Sequence, residues 1–150
     1  SLDSPTGVER LSGYKDALAQ HGIAVRDALI AEGKWNPASG AAAVSQLLTR
    51  GETFTALVAS NDDMAIGAIR QLHESGVSTP GAVSVIGFDD VAIAPYIVPS
   101  LSSVRIPVTE MIQETISRLI FMLDGGEFKP QQTFSGELIL RDSVIDGPHR

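Results

Sequence analysis

Two short clusters of polar side chains have the residue types that bind small molecules or metal ions. Residues 60–63 (SNDD) directly follow an apolar run at 54–59, and Asp89 and Asp90 follow a second apolar run at 83–88. Continuous apolar runs of this length are typical of parallel strands that are covered on both faces. Because ligands bind beyond the carboxyl ends of such strands, we expect the two clusters to face one crevice.

Both clusters also have structural and catalytic interpretations. Asn61, Asp62 or Asp63 can cap the helix that follows, and Asp89 or Asp90 can order a turn. Paired carboxylates could instead hold magnesium for phosphoryl transfer, but no glycine-rich phosphate loop or neighbouring lysine accompanies them. No serine lies in a glycine-flanked elbow with a histidine placed to activate it. We therefore expect neither an enzyme nor a cofactor.

The composition excludes several classes of function for the chain as given. It has 150 residues, the length of one ordinary domain, and 43% of them are hydrophobic, which is enough to bury a core. The chain has 11 Lys and Arg residues against 18 Asp and Glu residues, a net charge of −7, and the basic residues are scattered singly. Because nucleic-acid affinity comes largely from neutralising phosphates, we expect no direct binding to DNA or to an anionic membrane.

The sequence offers no sign of a metal site or a membrane span. There is no cysteine, and the three histidines lie far apart, so neither a thiolate site nor a zinc site is expected. No apolar run approaches the roughly 20 residues of a membrane span. The chain opens without an initiator methionine or a signal peptide, and its first residues are typical of a loop. We therefore expect it to be a piece of a longer protein.

Apolar periodicity and boundary signals predict alternating helices and strands. Helices are predicted at 6–20, between Pro37 and Gly51, at 63–74 and at 107–123. Strands are predicted at 28–31, 54–59 and 83–88, with extended segments at 101–106 and 133–140 and a loop at 91–100. The repeated β-α-β order predicts an α/β fold, a Rossmann-like parallel sheet with helices on both faces. From periodicity alone, the apolar stripe of 107–123 favours a core helix.

Five segments, in order along the chain, resemble signatures of the lac/galactose repressor family of transcriptional regulators. The spacing is most similar to the galactose repressor and isorepressor type. In the segment at 101–107, serines stand at two positions where the family more often has threonine. The matching segments are 10–14 (RLSGY), 61–68 (NDDMAIGA), 84–90 (SVIGFDD), 101–107 (LSSVRIP) and 140–143 (LRDS).

The resemblance implies a periplasmic-binding-protein-like effector core, in which two lobes close around a small sugar. Residues 1–106 and 130–150 would form the C-terminal lobe without its first strand. Residues 107–129 would hold the helix that normally packs on the N-terminal lobe, which this chain lacks. The chain would also lack the helix-turn-helix domain through which such regulators bind operator DNA.

The resemblance also implies four residues that contact the sugar. The guanidinium of Arg10 would donate to vicinal hydroxyls, and Trp35 would stack on the face of the sugar ring. The amide of Asn61 would donate and accept, and the carboxylate of Asp89 would accept from two hydroxyls. Each has a simpler interpretation: a solvated helix residue, a loop-packing aromatic, a helix cap and a turn former, respectively. Asp62 and Asp90 are expected to support the loops that present Asn61 and Asp89.

These expectations together describe the sensing part of a cytoplasmic, sugar-responsive transcriptional repressor. Family members pair through this lobe, so a homodimer is expected, with a surface beside the site loops formed by Ile66, Ile93, Tyr96 and Ile97. The alternative is the periplasmic sugar-binding protein of a transporter, which has the same fold and the same kind of site. The ending Phe88-Asp89-Asp90 and the segment at 102–107 favour the regulator.

Overall fold

Four helices alternate with four short strands in the computed structural model, which describes residues 4–127 and 132–147. The helices are α1 (Pro5–Gln20), α2 (Pro37–Thr49), α3 (Asp62–Glu74) and α4 (Val108–Leu123). The strands are β1 (Ala56–Val58), β2 (Ser84–Ile86), β3 (Ser103–Arg105) and β4 (Glu137–Ile139). The four predicted helices are confirmed, and the strands are shorter than the apolar runs that contain them. One turn of 3₁₀ helix, Ala94–Tyr96, interrupts the predicted loop.

Side-chain caps fix where three of the helices begin. The backbone N–H of Gly7 donates to the Ser4 hydroxyl at 3.1 Å at the start of α1. The Asn36 side chain accepts from the backbone of Ser39 at 2.9 Å at the start of α2. Asn61 plays the same part for α3. Each cap satisfies a backbone donor that has no partner inside the first turn, so polar residues at these positions set the helix boundaries.

The strands form two two-stranded ladders, one of β1 and β2 and the other of β3 and β4. β1 and β2 are parallel, and β3 and β4 are antiparallel. Two isolated parallel bridges, Ile86 to Ser102 and Asp89 to Arg105, join β2 to β3. The predicted parallel sheet is therefore present, with an antiparallel strand at its edge. Because β1 and β2 run side by side in one direction, both deliver their following loops to the same rim.

Two predictions about the strands are wrong. Residues 28–31 form no strand, because a 3₁₀ turn occupies Asp27–Leu29 and the Arg50 guanidinium donates to the carbonyls of Ala28 and Ile30 at 2.8 and 2.9 Å. These carbonyls are thus satisfied without a neighbouring strand. β1 is not covered on both faces either, since 63% of the Val58 surface is exposed.

Helices α2 and α3 pack closely against each other and against the sheet. A Cβ added to Gly40 would overlap the backbone of Met64, and one added to Gly67 would overlap the carbonyl of Pro37. Only glycine therefore permits this approach at either point. The core beneath the pair is apolar and fully buried at Val44, Leu72, Val85 and Leu101.

Helix α4 stands apart from this core. None of its residues is buried, and the apolar positions of its stripe are all exposed. The interpretation of 107–123 as a core helix is therefore wrong for this chain. Within the described residues, no helix is both long enough and apolar enough to cross a bilayer.

Candidate functional site

Asn61 and Asp89 lie on the same rim of the sheet, in the loops that follow β1 and β2. The backbone N–H of Asp62 donates to the Phe88 carbonyl at 2.9 Å, which ties the two loops together. This is the edge beyond the carboxyl ends of the parallel strands, where α/β sheets bind ligands. The two clusters therefore lie together at one edge of the strands, as predicted, and a shared ligand crevice stays a prediction.

Asn61 caps α3 and remains a candidate site residue. Its Oδ1 accepts from the backbone of Met64 at 3.0 Å, and its Nδ2 donates to the Trp35 carbonyl at 3.3 Å. A carboxamide has two donors and two acceptor lone pairs, so Asn61 retains one of each for a ligand. The capping interpretation is thus correct, and it does not compete with a role in binding.

Arg10 reaches from α1 to the other site residues. Its Nη2 donates to Asp89 Oδ1 at 3.3 Å, and its Nη1 donates to the Ser60 carbonyl. The guanidinium carbon lies 3.8 Å from the centroid of the Phe88 ring and 5.5 Å from that of Trp35. Both separations are within the range of cation–π attraction. Arg10 is therefore a fixed member of the site and not a freely solvated helix residue.

The four residues expected to contact a sugar thus converge on one rim. The ring of Phe88 lies at the same place, which the sequence analysis does not predict. In the sequence Phe88 belongs to an apolar run and to a family signature, neither of which predicts a contact with Arg10, yet its ring lies against the guanidinium of Arg10. Sequence periodicity gave no signal for this contact, because the two residues are far apart in the chain. The pattern of an aromatic directly before two aspartates was the available hint.

The loops of the site have unusual backbone conformations. Trp35, Asp89 and Asp90 have φ angles of 60°, 111° and 55°, and no other described non-glycine residue has a positive φ. Left-handed backbone costs such residues about 1–3 kcal/mol each and tends to persist where function requires it. All three lie in loops that present or support the candidate ligand contacts, which is consistent with a functional role for this rim.

Burial raises the pKa of the Asp89 carboxyl above its usual range, although the Arg10 guanidinium opposes this effect. The negative charge of Asp62 adds to the increase. The ionised form of the Asp89 carboxyl is therefore held at a cost to folding.

This shift leads to a pH-dependent stability prediction for Asp89→Asn. Because the pKa of Asp89 is higher in the folded chain than its ordinary 3.8, its contribution to folding is most favourable at low pH and is lost as the pH rises through the raised pKa. The amide is neutral throughout, so the variant should be more stable than the wild type at neutral pH, with a gap that narrows toward about pH 4. Urea unfolding at both pH values measures this gap.

The control for that measurement is Asp16→Asn, on the exposed surface of α1. It should unfold like the wild type at both pH values. If the free energy of unfolding of Asp89→Asn differs from that of the wild type by the same amount at acid and neutral pH, the raised pKa of Asp89 is contradicted.

Asp62 and Asp90 support the site loops, in line with expectation. Asp62 is fully buried, and its carboxylate accepts from the Ser103 hydroxyl at 2.6 Å and from the Val91 backbone at 2.8 Å. For Asp90, burial alone would raise the pKa of the carboxyl, but hydrogen bonds from Arg141 and Arg105 outweigh it and lower the pKa. No local pattern indicates that these two arginines, which are distant in the chain, meet at Asp90.

The carboxylates are thus engaged by protein donors in a way that does not suit a magnesium site. The Asp62 carboxylate accepts hydrogen bonds from Ser103 and Val91, and the Asp89 carboxylate forms an ion pair with Arg10. Among residues 4–127 and 132–147, no group of three or more His, Cys, Asp and Glu side chains could hold a metal ion. The arrangement instead offers mixed donors and acceptors beside an aromatic ring, which suits a polyol.

The residues expected at a dimer interface differ in their exposure. Ile93 and Tyr96 are 51% and 79% exposed. Ile66 and Ile97 are partly buried and pack against the core, so they can contribute less surface. An interface beside the site loops stays a prediction, and Ile93 and Tyr96 are its accessible members.

Comparisons with known proteins connect this geometry to a family. The profile of the periplasmic binding protein-like domain family matches residues 2–144. The HTH-type transcriptional regulator AscG of Escherichia coli K12 is 73% identical over 145 residues, which are 97% of this chain and 43% of AscG. The HTH-type transcriptional regulator GalR of the same organism is 41% identical over 138 residues, which are 91% of this chain and 40% of GalR.

A solved structure agrees with these matches. A sugar-binding transcriptional regulator of the LacI family from Escherichia coli, in complex with phosphate, has a TM-score of 0.91 and 73% identity to this chain. The match covers 97% of this chain and 52% of that one. This chain spans less than half the length of AscG and of GalR.

Proposed function

This chain belongs to the periplasmic binding protein-like domain family, in the group that forms the effector-binding domains of LacI-family regulators, and we propose that it supplies one half of a sugar-sensing site. The observation that carries the proposal is the convergence of Arg10, Trp35, Asn61 and Asp89 on one rim. AscG and GalR are transcriptional regulators and not transport proteins, which favours a regulator over a periplasmic carrier.

The chemistry of the rim suits a neutral sugar such as a galactose-like hexose. Arg10 has guanidinium donors beyond the two that bind Ser60 and Asp89, and five donors in one plane match adjacent hydroxyls. Asn61 retains one donor and one acceptor, and Asp89 can accept from two hydroxyls. The Trp35 ring supplies a flat apolar surface for the pyranose face.

The other half of the site would come from a first lobe. In this proposal residues 1–106 and 130–150 form the C-terminal lobe, and residues 107–129 hold a helix that packs on the N-terminal lobe. Support comes from α4, whose apolar stripe is exposed and none of whose residues is buried. A stripe of this kind is normally covered by a partner surface.

Regulation then follows from the preference of the sugar for one arrangement of the lobes. A ligand that bridges both lobes stabilises the closed arrangement, and only this difference in affinity can change the affinity for operator DNA. Operator binding would be the task of a separate helix-turn-helix domain, in a protein that acts as a homodimer in the cytoplasm.

Calorimetry on this chain tests the half-site proposal. With contacts from one lobe only, titration with D-galactose and related hexoses should give weak binding or none. The physical reason is that few of the hydroxyls of the sugar would be paired while its ordering cost stays the same. Micromolar affinity for this chain alone would contradict the proposal that a second lobe is required.

The proposed dimer surface has its own test in Tyr96→Asp. Large aromatic side chains often supply much of the binding energy of an interface, so this change should weaken self-association about tenfold or more. Sedimentation velocity over a range of concentrations measures the effect. Ile23→Asp changes another exposed apolar residue, away from the site loops, and should leave association unchanged. A wild-type chain that stays monomeric at high concentration would refute the interface.

A further inference from the structure

An ion-pair network connects the loop of Asp89 to the two strands that flank α4. Asp90 is almost completely buried, with 5% of its side-chain surface exposed. Its Oδ2 accepts from Arg105 at 2.7 Å, and its Oδ1 pairs with Arg141 at 2.7 Å. Arg105 is the last residue of β3, and Arg141 lies just after β4. One carboxylate therefore contacts both the strand end that leads into α4 and the segment that follows β4.

Further contacts make this network continuous with the strands. Arg141 also donates to the Leu101 carbonyl at 2.6 Å, and Arg105 pairs with Glu137 of β4 at 3.3 Å. The backbone N–H of Asp90 donates to the Ser103 hydroxyl at 3.1 Å. Charge-assisted hydrogen bonds are stronger and more directional than neutral ones, so the network fixes the loop relative to β3 and β4.

Helix α4 depends on these strands for its orientation, because none of its own residues is buried. At the other end of the network, Asp89 and Asp90 are consecutive and both have left-handed backbone conformations. A shift of the backbone at Asp89 would therefore be passed directly to Asp90.

We infer that Asp90 is a positioning residue that couples occupancy of the effector site to the orientation of α4, through Arg105 and Arg141. The inference rests on the proposed function, since it assigns the regulation of that same site. A ligand that draws on Arg10 and Asp89 shifts the Asp89–Asp90 pair, and the two arginines pass the shift to β3 and to the segment after β4. The proposed route runs from Asp89 through the backbone to Asp90 and then through the ion pairs of Asp90 with Arg105 and Arg141, and the variants below test whether it carries the shift.

Amide NMR on the 150-residue chain tests the coupling without any sugar. Arg10→Lys perturbs the site from outside the network, because Arg10 contacts Asp89 and not Asp90. In the wild-type background we expect this change to shift the amide resonances of Asp90 and also those of residues 108–111, in the first turn of α4. In an Arg105→Gln background the shifts at Asp90 should persist, and those at 108–111 should be lost.

Two further variants separate coupling from a merely structural role. Arg105→Lys keeps a positive charge that can reach Asp90 and should restore part of the response. Arg70→Gln removes an exposed arginine paired with Glu74 and should leave the response as in the wild type. The inference would be overturned if Arg10→Lys shifted the amide resonances of residues 108–111 equally in the Arg105→Gln background. It would also be overturned if those resonances did not shift in the wild-type background. The proposed function would fail separately, by an absence of sugar binding once both lobes are present.

Discussion

Asp62→Ala is expected to lower the free energy of unfolding by about 3 kcal/mol. The carboxylate is fully buried and is the acceptor for the Ser103 hydroxyl and the Val91 backbone. Its removal leaves two buried donors without a partner and opens a void beside Gly87, which approaches Asp62 closely. Urea unfolding followed by circular dichroism measures the loss.

The neighbouring residue provides a matched control. Asp63 lies in the same first turn of α3, so Asp63→Ala loses a similar interaction with the helix dipole, but its side chain is exposed. We expect Asp63→Ala to change the free energy of unfolding by less than about 0.5 kcal/mol. Equal effects from the two substitutions would show that the loss at Asp62 comes from the helix terminus and not from the buried contacts.

Gly67→Ala is expected to cost about 2–3 kcal/mol, even though alanine is the better helix former. The added Cβ would overlap the Pro37 carbonyl, and backbone on both sides leaves little room to yield. The variant should therefore push α2 away from α3. Thermal and urea unfolding report the loss in stability.

The same substitution should also disturb the site, and the chain has a built-in probe for this. Trp35, the only tryptophan, directly precedes the cap of α2, and its carbonyl accepts from Asn61 at the start of α3. A wider spacing of the helices should break that hydrogen bond and shift the Trp35 emission. Gly13→Ala is the control, because the space around Gly13 is open. It should stabilise the chain by about 0.5–1 kcal/mol and leave the emission unchanged.

Local rules predicted the helices and the rim of the site because both depend on neighbouring residues. Asn36 followed by Pro37 marked the start of α2, and polar residues after two apolar runs marked the rim. The strand predicted at 28–31 is absent because a strand depends on a partner that is distant in the chain. Its strand propensity needed a neighbouring strand, and the Arg50 side chain took its carbonyls instead.

Contacts between distant residues were the part of the site that local patterns could not supply. The stacking of Arg10 on Phe88 joins residues 78 positions apart, and the pairing of Asp90 with Arg141 joins residues 51 positions apart. Helix α4 shows a related difficulty, since an apolar stripe indicates that a surface will be covered but not by which partner. Periodicity therefore favoured a core helix where the structure leaves the stripe exposed.

We propose that this chain carries one half of a sugar site and that the other half lies in a separate lobe. The most direct test is a hybrid in which this chain replaces the matching 145 residues of AscG. Trp35 emission and calorimetry would be followed during titration with neutral hexoses and disaccharides. We expect the hybrid to bind at least one of these sugars and Arg10→Ala to abolish that binding. The isolated chain should bind every one of them much more weakly than the hybrid binds its best ligand. Binding by the hybrid that is unaffected by Arg10→Ala, or equally tight binding by the isolated chain, would contradict the proposal.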